Sequence, residues 1–330
     1  MSSSEELADH PKWFFATLAG VITFAAIIIY GHTYVTDPFA IVHPDQPHRM
    51  LCADASFSSD FDLELKPLIL HYRSPEAVFI GSSKVSIGFD AQSVGNEMQL
   101  KVANLGVVGG DLRIIEALVK QSADTPSVQQ IWIGVDYGTF TINENIRRPI
   151  LKPEDRFGDN ADRFIYGVVD TAPVMLAWHS LVQEEHCGLA VDPATGSYLE
   201  ARQRPAGEVE LENLATTLLA GSNPQTRFNR IARLVNLVRL VKTSGKQLIL
   251  FIPPNNPDVS RMLERKGARQ NYDEWRRQIH SLGQRFSVPV VDNRNDAGTE
   301  YPRSAFHDLT HFRPNVGDDI VRAGLAQLAE

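Results

Sequence analysis

The chain has 330 residues, of which 43% are hydrophobic and 22% are charged, and its formal net charge at pH 7 is −8. This length and composition fit one large α/β domain or two smaller ones. The acidic balance provides no strong basic field, so nucleic acid is excluded as an expected partner. No Cys or His spacing typical of a metal site is present in the sequence, and we expect neither a metal nor a cofactor.

An apolar run close to the N-terminus, WFFATLAGVITFAAIIIY at residues 13–30, has 18 uncharged positions. As a helix it would extend roughly 27 Å, close to the ~30 Å hydrocarbon core of a bilayer. Trp13 and Tyr30 lie at its ends, where interfacial aromatic side chains are favoured. A cleaved signal peptide is the alternative, although no small-x-small cleavage site follows the run. We therefore predict a single transmembrane anchor, with residues 1–12 in the cytoplasm and the main domain across the membrane.

The main domain is predicted to begin at residue 75. Residues 31–74 follow the anchor and start with a segment rich in Pro and His, which indicates an extended connector. Beyond it, short apolar runs bounded by turn residues alternate with helical patterns, which predicts a parallel sheet with helices on both faces over residues 75–330. The predicted strands lie at 77–80, 101–105, 130–135, 247–252 and 288–291.

Helical periodicity appears between these strands and after the last one. Gly267 is predicted to break one of the helices, and Gly245 to end another. The predicted helices lie at 111–122, 226–243 and 258–284, and a last one begins near Pro314.

Two features stay open at this point. Residues 141–224 interrupt the alternation, and we interpret them as an insertion or lid that includes a helical piece near 172–185. The two cysteines, Cys52 and Cys187, either form one disulfide in a translocated domain or remain unpaired thiols.

Polar residues follow the predicted strands. In open parallel sheets, ligands bind outside the carboxyl ends of the strands. A serine nucleophile there would need a base within hydrogen-bond reach, and the base would need an orienting acceptor. Asp308 and His311, in the segment FHDLTHF before the last helix, can supply both for Ser82 or Ser83. The post-strand residues are Gly81-Ser82-Ser83, Gly106 to Asp111, Asp136-Tyr137, residues 253–256 and Asp292-Asn293.

Each of these features also has a purely structural explanation. The Gly-Ser-Ser block can be a plain turn at the end of a strand, and the glycines near residues 106–110 can form a tight strand-to-helix turn. Asp308 can be a helix cap. His307 is a rival base, although its spacing to Asp308 does not suit support of the imidazole ring.

Taken together, three blocks resemble the SGNH/GDSL hydrolase superfamily in their order along residues 75–330. They are Gly81-Ser82-Ser83, Asn104-x-Gly106-x-x-Gly109 and Asp308-x-x-His311. The chain is most similar to the membrane-anchored branch, which includes D-alanyl transfer proteins of teichoic acid and alginate acetylation proteins. The resemblance implies a three-layer, flavodoxin-like fold and a serine acyltransferase or esterase acting on a cell-surface or exported polysaccharide.

The same resemblance implies a location and a partner. It places the protein in the inner membrane as a single-pass protein whose N-terminus is cytoplasmic and whose main domain is periplasmic or extracellular. It also implies that a multi-pass membrane acyltransferase supplies acyl groups, and that the acceptor is a polysaccharide.

Carried over by position, the resemblance assigns Ser83 as nucleophile, His311 as base and Asp308 as the orienting acid. The third block departs from the family pattern Gly-x-Asn-Asp, because Asp136 stands where an oxyanion-donating Asn is expected. An ionised Asp136 would repel an oxyanion, so it is either protonated or has another role, or Asn255 is the donor. The residues expected on the oxyanion or substrate-binding side are Ser82, Gly106, Gly109, Asp136 and Asn255.

Two other functions remain open from the sequence. Asp136 in place of Asn favours a non-catalytic binding or assembly component of a polysaccharide export or modification complex. A free esterase acting on small esters is a further alternative, against which the predicted anchor and the long insertion both argue.

Overall fold

The computed structural model describes residues 3–39, 42–43, 51–52, 58–140, 174, 177, 190–199, 224–292 and 301–329. Strands and helices are numbered in chain order within these residues. The strands are β1 (Leu51–Cys52), β2 (Ala77–Gly81), β3 (Val102–Gly106), β4 (Gln130–Gly134), β5 (Ala190–Val191), β6 (Tyr198–Leu199), β7 (Gln247–Ile252) and β8 (Val290–Asp292). The helices are α1 (Ser3–Thr36), α2 (Ser58–Arg73), α3 (Ser83–Gly88), α4 (Ala91–Met98), α5 (Leu112–Asp124), α6 (Pro224–Thr243), α7 (Pro257–Arg265), α8 (Arg269–Phe286) and α9 (Pro314–Ala329).

Five strands form a parallel sheet in the order β3-β2-β4-β7-β8. The first of these along the chain, β2, lies inside the sheet, with the second on one side and the third on the other. This is the strand order of flavodoxin-like folds, and helices cover both faces, so the predicted three-layer fold is confirmed. The topological switch point lies between β2 and β4, where a ligand site is expected.

Successive side chains of each strand point to opposite faces of the sheet, and an apolar core covers each face. Both faces of the sheet are therefore buried. Val78 and Ile80 of β2 belong to the larger core, which contains residues of α2, α5, α6, α7 and α8. Phe79 faces the other core, formed with α4 and α9, where it stacks on Trp132 with ring centroids 5.0 Å apart. These short strands are therefore apolar at nearly every position.

Most predicted helices agree with the structure. The side chain of Asp111 accepts hydrogen bonds at the N-terminus of α5, and Gly267, with φ of +68°, separates α7 from α8. The helices α3 and α4 were not predicted. They are short, and α4 contains several polar residues and Gly95, so neither shows a clear apolar period.

The connector assignment for residues 31–74 needs correction, because residues 58–73 form helix α2 within the core. Leu65, Leu68 and Ile69 of this helix are at most 2% exposed. Its charged residues and the internal Pro67 conceal the apolar face in the sequence. The bounds given for the anchor and for the main domain stay predictions.

Part of the predicted insertion 141–224 packs on the edge of the main sheet. Strands β1, β5 and β6 form a small antiparallel sheet, and the turn between β5 and β6 contacts β3. The backbone N–H of Asn104 donates to the carbonyl of Thr195 at 2.8 Å. The predicted helical piece at 172–185 lies outside the described residues except for positions 174 and 177, and Cys187 lies outside them too. The pairing of Cys52 and Cys187 therefore stays open.

Within the described residues, one helix is long and apolar enough to cross a bilayer. The segment Trp13–Thr36 of α1 has a mean hydropathy of 2.1, and its most apolar window is not buried against the rest of the protein. It is a candidate membrane span, and a signal anchor would satisfy the same criteria. Directly after α1 the chain joins the domain, because Phe39 is 2% exposed and stacks on Phe61 of α2 with centroids 5.7 Å apart.

Candidate active site

Ser83 is the first residue of helix α3, immediately beyond the carboxyl end of β2. The carbonyl of Ser82 begins the helix by accepting from the N–H groups of Val85 and Ser86 at 2.9 and 3.1 Å. Gly81 permits this sharp turn, since a Cβ there would lie 2.3 Å from a methyl carbon of Val85. The Gly-Ser-Ser block thus places the Ser83 side chain beside the switch point of the sheet.

His311 connects Ser83 to Asp308. Its Nε2 lies 2.9 Å from the Ser83 Oγ, and its Nδ1 lies 2.7 Å from an Asp308 carboxylate oxygen. When Nδ1 carries the proton and donates to Asp308, Nε2 is left to accept the proton of the serine hydroxyl. The three side chains named by the sequence motifs therefore meet in a geometry suited to activating a serine.

The Asp308 carboxylate is held by its own loop. One of its oxygens accepts from the backbone N–H groups of Thr310 and His311 at 2.7 and 2.9 Å. Burial raises the pKa of the Asp308 carboxyl, but hydrogen bonding and electrostatic attraction with His311, together with the two N–H groups, lower it more strongly. The net pKa lies well below the ordinary value for Asp, so the group is ionised at neutral pH.

Asn256 also positions this loop. Its side chain is buried, and its Nδ2 donates to the carbonyl of Asp308 at 2.9 Å while its Oδ1 caps helix α7 by accepting from the N–H of Asp258. His307, the rival base, uses its backbone N–H to donate to the carbonyl of His311 at 2.8 Å, and it is His311 that contacts Ser83.

Asn104 fixes helix α3 against strand β3. Its buried Nδ2 donates to the carbonyls of Val85, Ser86 and Phe89 at 3.0, 3.1 and 2.9 Å, and its Oδ1 accepts from the N–H of Gly106. A Cβ at Gly106 would lie 2.2 Å from the backbone nitrogen of Ser86. Gly106, expected on the oxyanion side, thus allows close packing of α3 instead of lining the cavity.

A cavity of about 170 Å³ opens beside Ser83 and His311. Gly109, with φ of +71°, lies on its wall in a backbone conformation that favours glycine. Within the described residues, no other group accepts from the N–H groups of Ser83 and Gly109, so both are available to an oxyanion. The apolar part of the wall consists of Val259, Leu263, Tyr272 and Leu309.

Asn255 also lines this cavity. Its Oδ1 lies 3.4 Å from the Nζ of Lys84, which leaves the amide NH₂ group as a donor for a ligand. No group of three or more His, Cys, Asp or Glu side chains in the described residues is arranged to hold a metal ion.

Asp136 has a role that the sequence left unresolved. Its carboxylate accepts from the hydroxyl of Ser82 at 2.7 Å and from the backbone and hydroxyl of Thr139 at 3.1 and 2.8 Å. Asp136 therefore joins the ends of β2 and β4 next to Ser83. Because the Ser82 hydroxyl donates to Asp136, it is not the donor for an oxyanion.

The low pKa of Asp308 leads to a test of stability against pH. A carboxyl group whose pKa is depressed by folding stabilises the native state fully above its unfolded pKa, about 3.9 for Asp, and loses that contribution as the pH falls toward the folded value. We expect the difference in unfolding free energy between wild type and Asp308→Asn to be full and nearly constant above about pH 5 and to shrink below about pH 4. Urea denaturation across this range measures it, and a difference that grows on acidification would contradict the assignment.

Comparison with known proteins adds little to this geometry. No protein-family model and no curated protein matches the sequence. Among solved structures, the chain is similar to a Bacteroides fragilis protein provisionally assigned as an acylhydrolase, with 13% identity, a TM-score of 0.38, and coverage of 77% of this chain and 85% of that one.

Proposed function

We propose that the protein is a serine acyltransferase or esterase that forms an acyl-enzyme on Ser83. The observation that carries this proposal is the continuous contact from Ser83 through His311 to Asp308, at 2.9 and 2.7 Å. Separations of this size are those of a working nucleophile, base and orienting acid. A plain strand-ending turn gives no reason for a histidine 228 residues away to meet the serine hydroxyl.

The geometry supports the following sequence of bonds. The Ser83 oxygen attacks the acyl carbonyl while its proton passes to Nε2 of His311, and the resulting oxyanion accepts from the N–H groups of Ser83 and Gly109. His311 then protonates the leaving group as the old ester bond breaks. An acceptor hydroxyl or water next gives its proton to His311 and attacks the acyl-serine. His311 returns that proton to the Ser83 oxygen as the acyl–serine bond breaks, which restores both residues.

We further propose a short acyl group and a polysaccharide acceptor. The apolar wall formed by Val259, Leu263 and Leu309 suits a hydrocarbon chain, and the cavity of about 170 Å³ limits its length. The polysaccharide, and a multi-pass membrane acyltransferase as acyl donor, come from the family resemblance. Helix α1 supports a membrane-bound arrangement. A main domain outside the cytoplasm is part of this proposal and comes from the family resemblance.

The position of the anchor supports a donor at the membrane surface. Phe39, three residues beyond α1, stacks on Phe61, and the adjacent Asp62 accepts from the N–H of Val108. Val108 precedes Gly109 on the cavity wall. The chain that leaves the membrane span therefore joins the domain close to the proposed oxyanion site.

A fluorophosphonate probe tests the proposal directly, because it reacts with activated serines. We expect the full chain in the carbonate-insoluble membrane fraction, and we expect the probe to label it at Ser83, as mapped by mass spectrometry. Ser83→Ala should abolish the labelling. Ser122→Ala, which alters a buried hydroxyl on α5, is the matched control and should label as wild type does. Labelling at another serine would overturn the assignment.

A non-catalytic assembly component is the second candidate. Asp136, in place of the Asn that the resemblance leads one to expect, is the observation that favours it. If the wild-type chain bound polysaccharide but was not labelled by the fluorophosphonate probe, the assembly component would be supported and the enzyme would be excluded.

A further inference from the structure

A buried ion pair lies behind the loop that carries Gly109. Asp62 and Lys66, one turn apart on helix α2, are both 0% exposed, and the Lys66 Nζ lies 3.5 Å from a carboxylate oxygen of Asp62. Burying two charges is costly, and apolar residues of similar size often serve packing equally well. The pair is outside the cavity, and the chemistry described above does not use it.

One carboxylate oxygen of Asp62 holds the loop of Gly109. It accepts from the backbone N–H of Val108 at 2.8 Å. On either side of this contact, the loop is closed by backbone bonds from Val107 to Gly81 at 3.0 Å and from Gly110 to Val107 at 2.9 Å. The hydrogen bond to Asp62 of helix α2 fixes the peptide group of Val108. This contact and the φ of +71° at Gly109 together set the direction of the Gly109 N–H.

The other contacts of the pair hold the carboxylate in place. The hydroxyl of Tyr198 donates to the second oxygen of Asp62 at 3.0 Å. Lys66 donates to the carbonyls of Asn104, at 3.1 Å, and Gly196. Burial raises the pKa of Asp62 and lowers that of Lys66, whereas each charge favours the ionised form of the other. Asp62 is therefore held directly by Val108, Tyr198 and Lys66. Lys66 is held in turn by the two carbonyls.

We propose that Asp62 is a positioning residue for the acyl-transfer reaction. By accepting from Val108, it holds the loop so that the N–H of Gly109 points at the acyl oxygen as negative charge develops there. This inference rests on the proposed function of Ser83. An oxyanion donor acts mainly in the transition state, so loss of its alignment lowers kcat and leaves KM nearly unchanged.

Two double variants separate positioning from simple stability. Asp62→Asn with Lys66→Met removes both charges but keeps an amide oxygen for the N–H of Val108. Asp62→Leu with Lys66→Met removes the acceptor as well. Hydrolysis of 4-nitrophenyl acetate by the full chain is measured well below the melting temperature of each variant. We expect kcat of the Leu/Met protein to be about 10- to 100-fold below that of the Asn/Met protein, with similar KM.

Equal kcat values in the two folded double variants would overturn the inference, as would a loss confined to KM. These results are distinct from failure of the proposed function, in which wild type itself neither hydrolyses the ester nor reacts with the fluorophosphonate. The melting temperatures show whether each variant is folded at the assay temperature. A difference in kcat that persists between folded variants supports positioning.

Discussion

Replacing Ser83 with alanine is expected to lower kcat for an activated acetyl ester by at least about 10³-fold. In the proposed mechanism the Ser83 Oγ receives the acyl group, and the His311 Nε2 lies 2.9 Å away to take its proton. The rate that remains would come from the oxyanion donors and from water. Release of 4-nitrophenol by purified full-length protein measures this loss.

Ser122→Ala provides the comparison for that experiment. The Ser122 hydroxyl is buried on α5 and has no hydrogen-bond partner within the described residues, so its removal should leave both folding and kcat close to wild type. Similar rates for Ser83→Ala and wild type would remove Ser83 from the mechanism, whatever the control does.

The fold was largely predictable because its strands carry a strong local signal. Strands buried on both faces are apolar at nearly every position, and each is bounded by turn residues. Gly267 likewise marks the break between α7 and α8, since its φ of +68° is one that glycine adopts readily. The signal fails for helix α2, where Asp62 and Lys66 are buried as a pair. Charged residues in a sequence pattern are normally interpreted as exposed. Asp62 and Lys66 are buried because they pair with each other and with other segments in the folded chain.

The site was predictable only where its chemistry depends on residue type. Ser83, Asp308 and His311 are recognisable because the roles proposed for them, nucleophile, orienting acid and base, require particular side chains in a motif order. The supporting contacts carry no such signal. Asn256 reaches the carbonyl of Asp308, and Asp136 reaches the hydroxyl of Ser82, only because the carboxyl ends of adjacent strands meet in the folded sheet.

The supporting contacts also connect stability to chemistry. Helix α3 has only six residues, too few to be stable on its own, so the orientation of Ser83 depends on what holds the helix. Asn104 provides three of those contacts from strand β3, and Gly106 permits the close approach. A change at Asn104 should therefore affect both the free energy of unfolding and kcat.

Asn104→Asp is expected to lower the free energy of unfolding by about 3–5 kcal/mol at neutral pH, because it places a buried carboxylate against three carbonyl oxygens. The same loss of contacts should reduce kcat by displacing α3. The damage should be smaller at pH 5 than at pH 8, since a protonated carboxyl group no longer repels the carbonyls. Urea denaturation and ester hydrolysis at both pH values measure the two effects.

Asn96→Asp makes the same chemical change at an exposed position of helix α4, where we expect an effect within about 0.5 kcal/mol. If the two variants were equally stable, the Asn104 side chain would not hold helix α3. If Asn104→Asp were unstable but fully active at a temperature where it is folded, the contacts would stabilise the fold without orienting Ser83. A parallel loss of stability and kcat, absent from Asn96→Asp, would show that the same hydrogen bonds serve both.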